Sequence, residues 1–270
     1  MTLCQRKRNV WGAVKSRRRV IFGALMNSQN SQLHTFPPQL VVFDLAGVVL
    51  GQSEGLLNSF VVALQAHGVL VEPEVASVAM GYPAMVGIER MLAWLRPEAT
   101  AGSALHEQVF QSFLKQHIRY CRYTDRMEWV PGLLTTCAAL RKCGVKIAMA
   151  TSLEDEVVEL LNDRLQWRQS GLFDLWQSGT RVADVRPGPG LIRDLMARAD
   201  VVNPAAVVKV GDTPVDMEEG HHAGCGWTML LDSGWLDGLA IASARPDAIL
   251  EYVDDLLAYL PIRLPHGVRP

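Results

Sequence analysis

The fold of this chain is decided by the stretch Val41-Val42-Phe43-Asp44-Leu45-Ala46-Gly47-Val48-Val49. An apolar run ends at Asp44, and Gly47 follows three residues later. This order predicts a buried strand that carries a carboxylate at its carboxyl end, with a turn directly after it. Because ligands of open α/β sheets bind at this edge, Asp44 is predicted to lie in a functional site.

The chain beyond this strand alternates buried apolar runs with amphipathic helices. Further strands are predicted at residues 145–150, 173–178, 206–210 and 227–231. A closing helix is predicted at residues 249–260. Strands that alternate with helices predict an α/β fold with a doubly wound parallel sheet, of the Rossmann-like type.

The domain organisation follows from the same pattern. Residues 57–129 show helical patterns without a strong strand signal, so they are predicted to form a helical insertion after the first strand. Residues 39–56 and 130–270 are predicted to form the α/β core.

Residues 1–38 form a basic segment with seven Lys or Arg and no Asp or Glu, whereas the remainder carries a formal charge of −9. The segment resembles a transit sequence, or it contacts nucleic acid or anionic lipid, or it is a disordered tail. In the last case it is a solvated extension, with Met26 as an alternative start. We favour the tail, so no nucleic-acid partner is expected.

Composition indicates a soluble globular protein, because 49% of the 270 residues are hydrophobic and 20% are charged. No apolar run reaches the roughly 20 residues that span a bilayer, so no membrane span is expected. The five cysteines form no CxxC pair and no zinc-type cluster. Free thiols and a cytoplasmic location are therefore expected.

Polar residues follow the predicted strands at the edge where Asp44 lies. They are Thr151, Arg186, Asp212 and Asp216. Three carboxylates that converge repel one another unless a cation joins them, and oxygen ligands beside a substrate phosphate suit Mg²⁺. With Arg186 and a Thr151 hydroxyl nearby, the set predicts phosphoryl transfer in which a carboxylate attacks phosphorus and forms an aspartyl-phosphate.

Taken together and in this order, these motifs resemble those of the haloacid dehalogenase-like superfamily over residues 39–260. Asp44 matches the nucleophile motif, and Thr151 matches the hydroxyl motif. Arg186, before Pro187, matches the basic motif, and residues 211–216 match the acidic metal motif.

Within the superfamily the chain is similar to the phosphonoacetaldehyde hydrolase (phosphonatase)-like group. Three matching segments carry this similarity: Asp44-Leu45-Ala46-Gly47, Arg186-Pro187-Gly188-Pro189, and the run from Gly211-Asp212-Thr213 to Ala223-Gly224. The resemblance implies a helical cap over the active site and a Mg²⁺ cofactor. By analogy with phosphonatase, it also implies a homodimer formed through the cap.

The resemblance also assigns roles. Asp44 is expected to be the nucleophile and a metal ligand, with the Ala46 carbonyl, Asp212 and Asp216 around the metal. Predicted substrate-binding residues are Ala46, Gly47, Ser152, Met80 and Tyr82, with packing in the core as the alternative for Met80 and Tyr82. On the helix after the acidic motif, Glu218 and Glu219 are expected to be solvated, with Glu218 a candidate to support the metal shell, and His221 and His222 to be surface or packing residues.

Two alanines depart from what the related enzymes use. Most phosphatases of the superfamily have a general-acid Asp where this chain has Ala46, and phosphonatase has a Schiff-base lysine where it has Ala84. The only lysine in residues 57–129 is Lys115. Three outcomes follow: a substrate with a good leaving group, an acid recruited from the cap or the substrate, or loss of catalysis.

The sequence thus predicts a Mg²⁺-dependent hydrolase of the phosphonatase-like group that acts on a small phosphate or phosphonate. The alternative is a catalytically impaired binding or regulatory protein with the same fold.

Overall fold

The computed structural model describes residues 36–51, 54–98, 102–234, 236 and 238–262. The basic segment before residue 36 lies outside these residues, so its three interpretations stay predictions. Within the described part, no helix combines the length and apolar character that a membrane crossing requires.

A six-stranded, fully parallel sheet forms the centre of the fold. Its strands are β1 (Leu40–Asp44), β2 (Lys146–Thr151), β3 (Leu175–Ser178), β4 (Val207–Gly211), β5 (Trp227–Leu231) and β6 (Ala248–Leu250). The spatial order is β3-β2-β1-β4-β5-β6. The predicted doubly wound α/β fold is therefore confirmed.

Helices surround the sheet and fill the interval between β1 and β2. They are α1 (Glu54–Ala66), α2 (Pro73–Ala76), α3 (Ala84–Leu95), α4 (Ala104–Tyr123), α5 (Leu133–Lys142), α6 (Asp155–Leu165), α7 (Trp167–Ser170), α8 (Gly190–Arg198), α9 (Pro214–Ala223), α10 (Gly238–Ala244) and α11 (Leu256–Tyr259). The described part of the chain also contains short 3₁₀ turns, at Ser77–Ala79, Gly179–Arg181, Pro204–Ala206 and Val253–Asp255.

The central strand β1 is buried along its whole length, as its apolar sequence predicts. The chain order reverses between β1 and β4, because β2 and β3 extend the sheet on one side of β1 and β4 to β6 on the other. Such a reversal opens a crevice at the carboxyl ends of the two central strands. Asp44 ends β1, and Asp212 directly follows β4.

Helices α1 to α4 leave and rejoin the sheet region through two neighbouring extended segments. Val130 N–H donates to the Val49 carbonyl at 3.0 Å, and Gly51 N–H donates to the Glu128 carbonyl at 3.3 Å. The two connections therefore support each other at the base of this helical block. The division into cap and core at residues 57–129 stays a prediction.

The predicted closing helix at residues 249–260 is wrong. Ala248–Leu250 instead pairs with β5 as the edge strand β6, and a 3₁₀ turn and the short α11 follow. One cause is Asp255, whose Oδ2 accepts from the N–H groups of Glu251 at 3.0 Å and Tyr252 at 2.9 Å. These bonds cap a new turn after the strand, so one continuous helix does not form.

A buried histidine lies inside the helical block. His117 on α4 is 4% exposed and stacks on Phe113, with ring centroids 5.6 Å apart, and Phe113 stacks on Phe60 of α1 at 4.2 Å. The Ser59 hydroxyl lies 3.5 Å from its Nδ1. Burial lowers the pKa of His117 to about 4.

This histidine is expected to make the protein less stable in mild acid. Between pH 6.5 and 4 the unfolded chain binds a proton at His117 that the folded chain excludes, so stability falls as pH falls through this window. The expected loss from this group is about 1.4 kcal/mol on going from about pH 7.5 to about pH 5.5. Urea unfolding of wild type and His117→Phe at both values measures it, and an equal loss in the two proteins would contradict the assignment.

Candidate active site

Three carboxylates meet at the crevice between β1 and β4. Oxygens of Asp44, Asp212 and Asp216 lie within 4.8 Å of one another, and all three residues are buried. Asp44 itself is only 5% exposed. Buried carboxylates this close are unfavourable without a cation, and their oxygen donors are those that bind hard divalent ions. The acidic triad therefore fits a metal ion.

Asp216 reaches this triad because Gly211 leaves room for it. A Cβ on Gly211 would lie 2.1 Å from Asp216 Cβ and 2.2 Å from its Cγ. The Thr213 side chain begins α9 in a capping box: its hydroxyl donates to Asp216 Oδ2 at 2.6 Å and accepts from the Asp216 N–H at 3.2 Å. The Gly-Asp-Thr-Pro-Val-Asp motif thus fixes one carboxylate by close approach and by a helix cap.

Arg186 lies against the predicted nucleophile. Its Nη1 is 2.6 Å from Asp44 Oδ1 and 3.2 Å from Asp216 Oδ1, and its Nη2 donates to the Ala150 carbonyl at 3.1 Å. The side chain is 1% exposed. Because its donors are directed at protein groups, Arg186 orients the Asp44 carboxylate and offsets its charge.

Two further charged residues complete the site, and the sequence interpretation missed both. Lys209 and Glu219 are fully buried, and Lys209 Nζ lies 3.0 Å from Asp216 Oδ1 and 2.9 Å from Glu219 Oε2. Glu219 Oε2 is also 2.9 Å from Arg186 Nε. The expectation that Glu219 is solvated is therefore wrong, whereas Glu218 is exposed.

Sequence signals for both residues exist. Lys209 interrupts the apolar strand Val207–Gly211, where a lysine is costly unless it is paired. Glu219 follows Asp216 by three residues, which puts the two on one face of a helix.

We refer to six residues as the buried charge cluster. They are Asp44, Arg186, Lys209, Asp212, Asp216 and Glu219. Four carboxylates and two cations give the cluster a formal charge of −2, which equals the charge that one divalent cation neutralises.

The cluster shifts the pKa values of its members in opposite directions. Burial raises the pKa of Asp44 to about 6, although Arg186 opposes this shift. Burial also acts to raise the pKa of Asp216, but Lys209 and Arg186 outweigh it and hold that pKa below the ordinary value. The pKa of Lys209 is raised, because Glu219, Asp216 and Asp44 outweigh burial and the repulsion from Arg186. Asp44 is thus the easier carboxylate to protonate, and Asp216 remains ionised.

The other residues predicted for the site occupy the loops around it. Thr151 is buried at the end of β2, beside the Asp44–Ala150 register pair, and its Oγ1 accepts from Leu153 N–H at 3.2 Å. This bond leaves the hydroxyl hydrogen of Thr151 able to donate. Ser152 is the next residue along this loop.

The loop after β1 and the turn before α3 hold the remaining predicted residues. Gly47 N–H donates to the Leu50 carbonyl at 2.7 Å, and Ala46 before it is half-buried. Met80 is buried. Tyr82 lies half-exposed, with the Arg90 guanidinium 4.6 Å from its ring centroid. Substrate contacts of these residues and of Ser152, and a ligand role for the Ala46 carbonyl, stay predictions.

The predicted cap contacts the acidic motif through Gly81. A Cβ there would lie 2.5 Å from Thr213 Oγ1 and 2.9 Å from Val215 Cβ, and the residue has φ +87°. Ala84, at the position of the family's lysine, begins α3 only three residues later and is buried. Lys115 is exposed on α4. The turn before α3 therefore rests directly on the residue that caps Asp216.

Gly81→Ala is expected to lower kcat/KM by about tenfold to a hundredfold, because the methyl group displaces the turn or the Thr213 hydroxyl that orients Asp216. Steady-state kinetics on the substrate that the wild type cleaves measures this loss. Gly68→Ala is the matched control, since Gly68 has a similar φ of +74° with nothing near its Cβ. Equal kinetics in the two variants would contradict a role for the Gly81 contact.

Comparisons with known proteins agree with this geometry. The family model of haloacid dehalogenase-like hydrolases matches residues 41–230. The chain belongs to the haloacid dehalogenase-like hydrolase family. The predicted superfamily and the predicted hydrolase class are thereby confirmed.

Individual members of the haloacid dehalogenase-like family resemble the chain at modest identity. Phosphonoacetaldehyde hydrolase of Latilactobacillus sakei subsp. sakei is 28% identical over 218 residues, covering 76% of this chain and 79% of that protein. Phosphoglycolate phosphatase of Escherichia coli K12 is 28% identical over 241 residues, covering 84% and 93%.

A solved structure of a phosphonoacetaldehyde hydrolase-like protein from Oleispira antarctica has the same fold. It superposes with a TM-score of 0.71 at 20% identity, covering 83% of this chain and 91% of that chain. The fold is thus shared, while the names of the relatives include both a phosphonoacetaldehyde hydrolase and a phosphoglycolate phosphatase.

Proposed function

We propose that this chain is a Mg²⁺-dependent hydrolase of a small phosphate or phosphonate, with Asp44 as nucleophile. The observation that carries the proposal is the buried triad of Asp44, Asp212 and Asp216 at the crevice, with Arg186 2.6 Å from Asp44. When bound, Mg²⁺ supplies positive charge that offsets the phosphoryl oxygens and the carboxylates.

The residues of the chain divide the reaction into two displacements. A carboxylate oxygen of Asp44 attacks phosphorus, and the bond to the leaving group breaks with its electron pair on that group. Water then attacks phosphorus of the aspartyl-phosphate, loses a proton, and releases phosphate with the Asp44 carboxylate restored. In this proposal Arg186 holds that carboxylate in one orientation, and the Thr151 hydroxyl, which accepts from Leu153 N–H, donates its hydrogen to a phosphoryl oxygen.

The leaving group presents the remaining chemical problem, because Ala46 cannot protonate it. Asp44 is also nearly sealed from solvent, so the proposal includes an opening of the site before a substrate enters. Substrates whose leaving group needs no proton, such as acyl phosphates, are expected to react faster than alkyl phosphates.

A substrate panel tests the proposed function. Purified protein with Mg²⁺ is incubated with acetyl phosphate, phosphoglycolate, other small phosphomonoesters, phosphonopyruvate and phosphonoacetaldehyde, and released phosphate is measured. Release that requires Mg²⁺ supports the hydrolase. Borohydride is expected to trap no adduct with phosphonoacetaldehyde, because Ala84 cannot form an imine.

A second candidate function rests on Ala46 and Ala84, which remove the usual proton donor and the usual imine lysine. It is a binding or regulatory protein that keeps the pocket. A folded wild type that binds metal but releases phosphate from no member of the panel would favour this function over the hydrolase.

We propose Glu154, which the sequence interpretation missed, as a proton donor because it follows Thr151 on the loop after β2. It is half-buried, three residues beyond Thr151, and its Oε2 is buried without a hydrogen-bond partner among the described residues. Burial raises its pKa to about 7, although its own backbone N–H acts in the opposite direction. Near neutral pH such a group holds a proton part of the time and can release it.

Glu154→Gln is expected to slow hydrolysis of alkyl phosphates by about a hundredfold and to leave acetyl phosphate hydrolysis nearly unchanged. Comparing kcat on the two substrates measures this selectivity. Glu156→Gln, at an exposed site two residues later in α6, is the matched control. Equal losses on both substrates would contradict proton donation.

A further inference from the structure

Within the buried charge cluster, the pair of Lys209 and Glu219 was not predicted from the sequence. Neither belongs to the acidic triad, yet both are fully buried beside it. Burying a lysine and a glutamate costs several kcal/mol each before pairing, and well-packed apolar residues are commonly as stable as a buried ion pair. A role in stability alone therefore explains this pair poorly.

The contacts show what the pair does to the triad. Glu219 Oε2 lies 2.9 Å from both Arg186 Nε and Lys209 Nζ. The same two cations also contact the triad, Arg186 at Asp44 and Asp216, and Lys209 at Asp216. Glu219 thus pairs with both cations, so their positive charge is not directed at the triad carboxylates alone.

We propose that Lys209 and Glu219 are positioning residues that set the charge and orientation of the acidic triad, so that it binds one divalent cation with moderate affinity. The inference rests on the proposed function, since it takes the triad as the metal site. Asp216 has Thr213 at Oδ2 and both cations at Oδ1. Lys209 and Arg186 therefore compete with a metal for this carboxylate, and Glu219 weakens that competition.

The signs of two substitutions follow from the charge count. Glu219→Gln changes the formal charge of the cluster from −2 to −1. Both cations then have only the triad carboxylates as charged partners within the cluster. Lys209→Met changes it to −3 and removes one competitor at Asp216. We expect the first variant to bind Mg²⁺ about tenfold to a hundredfold more weakly, and the second to bind it about tenfold more tightly.

The double variant Lys209→Met/Glu219→Gln restores the charge of −2. Its affinity for Mg²⁺ is expected to return to within about threefold of wild type. It also avoids an unpaired buried charge, so it is the variant most suited to fold if a single one does not. Adding Lys209→Met to Glu219→Gln should then strengthen metal binding, whereas loss of a merely structural residue would weaken it further.

The experiment is calorimetric titration with Mg²⁺ alone, and with Mn²⁺ alone, at constant ionic strength. Circular dichroism confirms that each variant is folded. Glu156→Gln, the same chemical change at an exposed position of α6, is the control and is expected to shift the affinity by less than about twofold.

The outcomes separate this inference from the proposed function. Opposite shifts in the single variants with recovery in the double variant support it. Wild-type metal binding with losses in both single variants, or a double variant weaker than Glu219→Gln, overturns the inference and leaves the hydrolase standing. A wild type that binds neither metal overturns both.

Discussion

Asp44→Asn is expected to lower the rate of phosphate release by about a thousandfold or more. An amide is too weak a nucleophile to attack phosphorus, so the covalent route is lost rather than slowed. Asparagine keeps the shape of the side chain, and Arg186 retains its contacts with Asp216, Glu219 and the Ala150 carbonyl. The variant should therefore stay folded while catalysis disappears.

Two measurements distinguish this loss from general damage. Phosphate release is followed for wild type and variant, and acid-quenched protein is examined for a phosphoryl group on Asp44 during turnover of a labelled substrate. Asp163→Asn makes the same change at an exposed position of α6 and should retain full activity. An Asp44→Asn variant that keeps more than about a tenth of the wild-type rate would exclude Asp44 as the nucleophile.

The sequence predicts a helix or strand well where the residues of that element alone show the pattern. The run of apolar residues up to Asp44 requires burial on both faces, and the structure places it at the centre of the sheet. Helix α1 (Glu54–Ala66) has its buried apolar residues at helical spacing, and Gly68 follows its end. Such signals are local, so a single sequence suffices to read them.

Prediction fails where a distant partner decides the structure. Ala248–Leu250 becomes a strand because it pairs with Met229 to Leu231 of β5, a contact that no local pattern reveals. An edge strand of three residues is too short for an alternation to be visible. The helical spacing further along the chain therefore predicts a helix that begins too early, over residues that pair with the sheet.

In the candidate active site, too, motifs predict some residues, whereas the packing of the fold determines the position of others. The sequence places Asp44, Arg186, Asp212 and Asp216 at one sheet edge, and the structure brings them into contact. It marks Glu219 only by its spacing from Asp216, and the burial of Glu219 follows from the packing of α9 against β4 at that residue. A Cβ on Gly220 would lie 2.6 Å from a Thr228 methyl group and 3.1 Å from Lys209 Cβ, which shows how closely helix and sheet approach.

The sequence predicts the chemistry of the leaving group less completely than it predicts the fold. Ala46 and Ala84 show that the usual proton-donating aspartate and the usual imine-forming lysine are absent. Their absence does not identify the residues that replace them. The donor that we propose is Glu154, whose carboxyl pKa is raised to about 7 by burial and which no motif marks. A shifted carboxyl pKa depends on the surroundings that the fold creates, so the sequence alone does not predict it.

Gly211→Ala is expected to destabilise the fold by about 3 kcal/mol and to abolish metal binding. The new Cβ would lie 2.1 Å from Asp216 Cβ, at the backbone-proximal end of that side chain, so rotation of Asp216 cannot relieve the overlap. Asp216 must move away from β4, which breaks its cap with Thr213 and its ion pairs with Lys209 and Arg186 together. Both cations are then left buried without one of their partners.

Chemical unfolding and Mg²⁺ titration of the Gly211→Ala variant measure the two effects separately. Gly238→Ala is the matched control, because nothing lies within 4 Å of its Cβ and its φ is not in the left-handed region. That change should leave both quantities within error of wild type. A Gly211→Ala variant with normal metal affinity would mean that Asp216 is dispensable for the metal, and the site would then reduce to Asp44 and Asp212. Loss of metal binding with little loss of stability would instead show that the approach of α9 to β4 serves the acidic triad more than the fold.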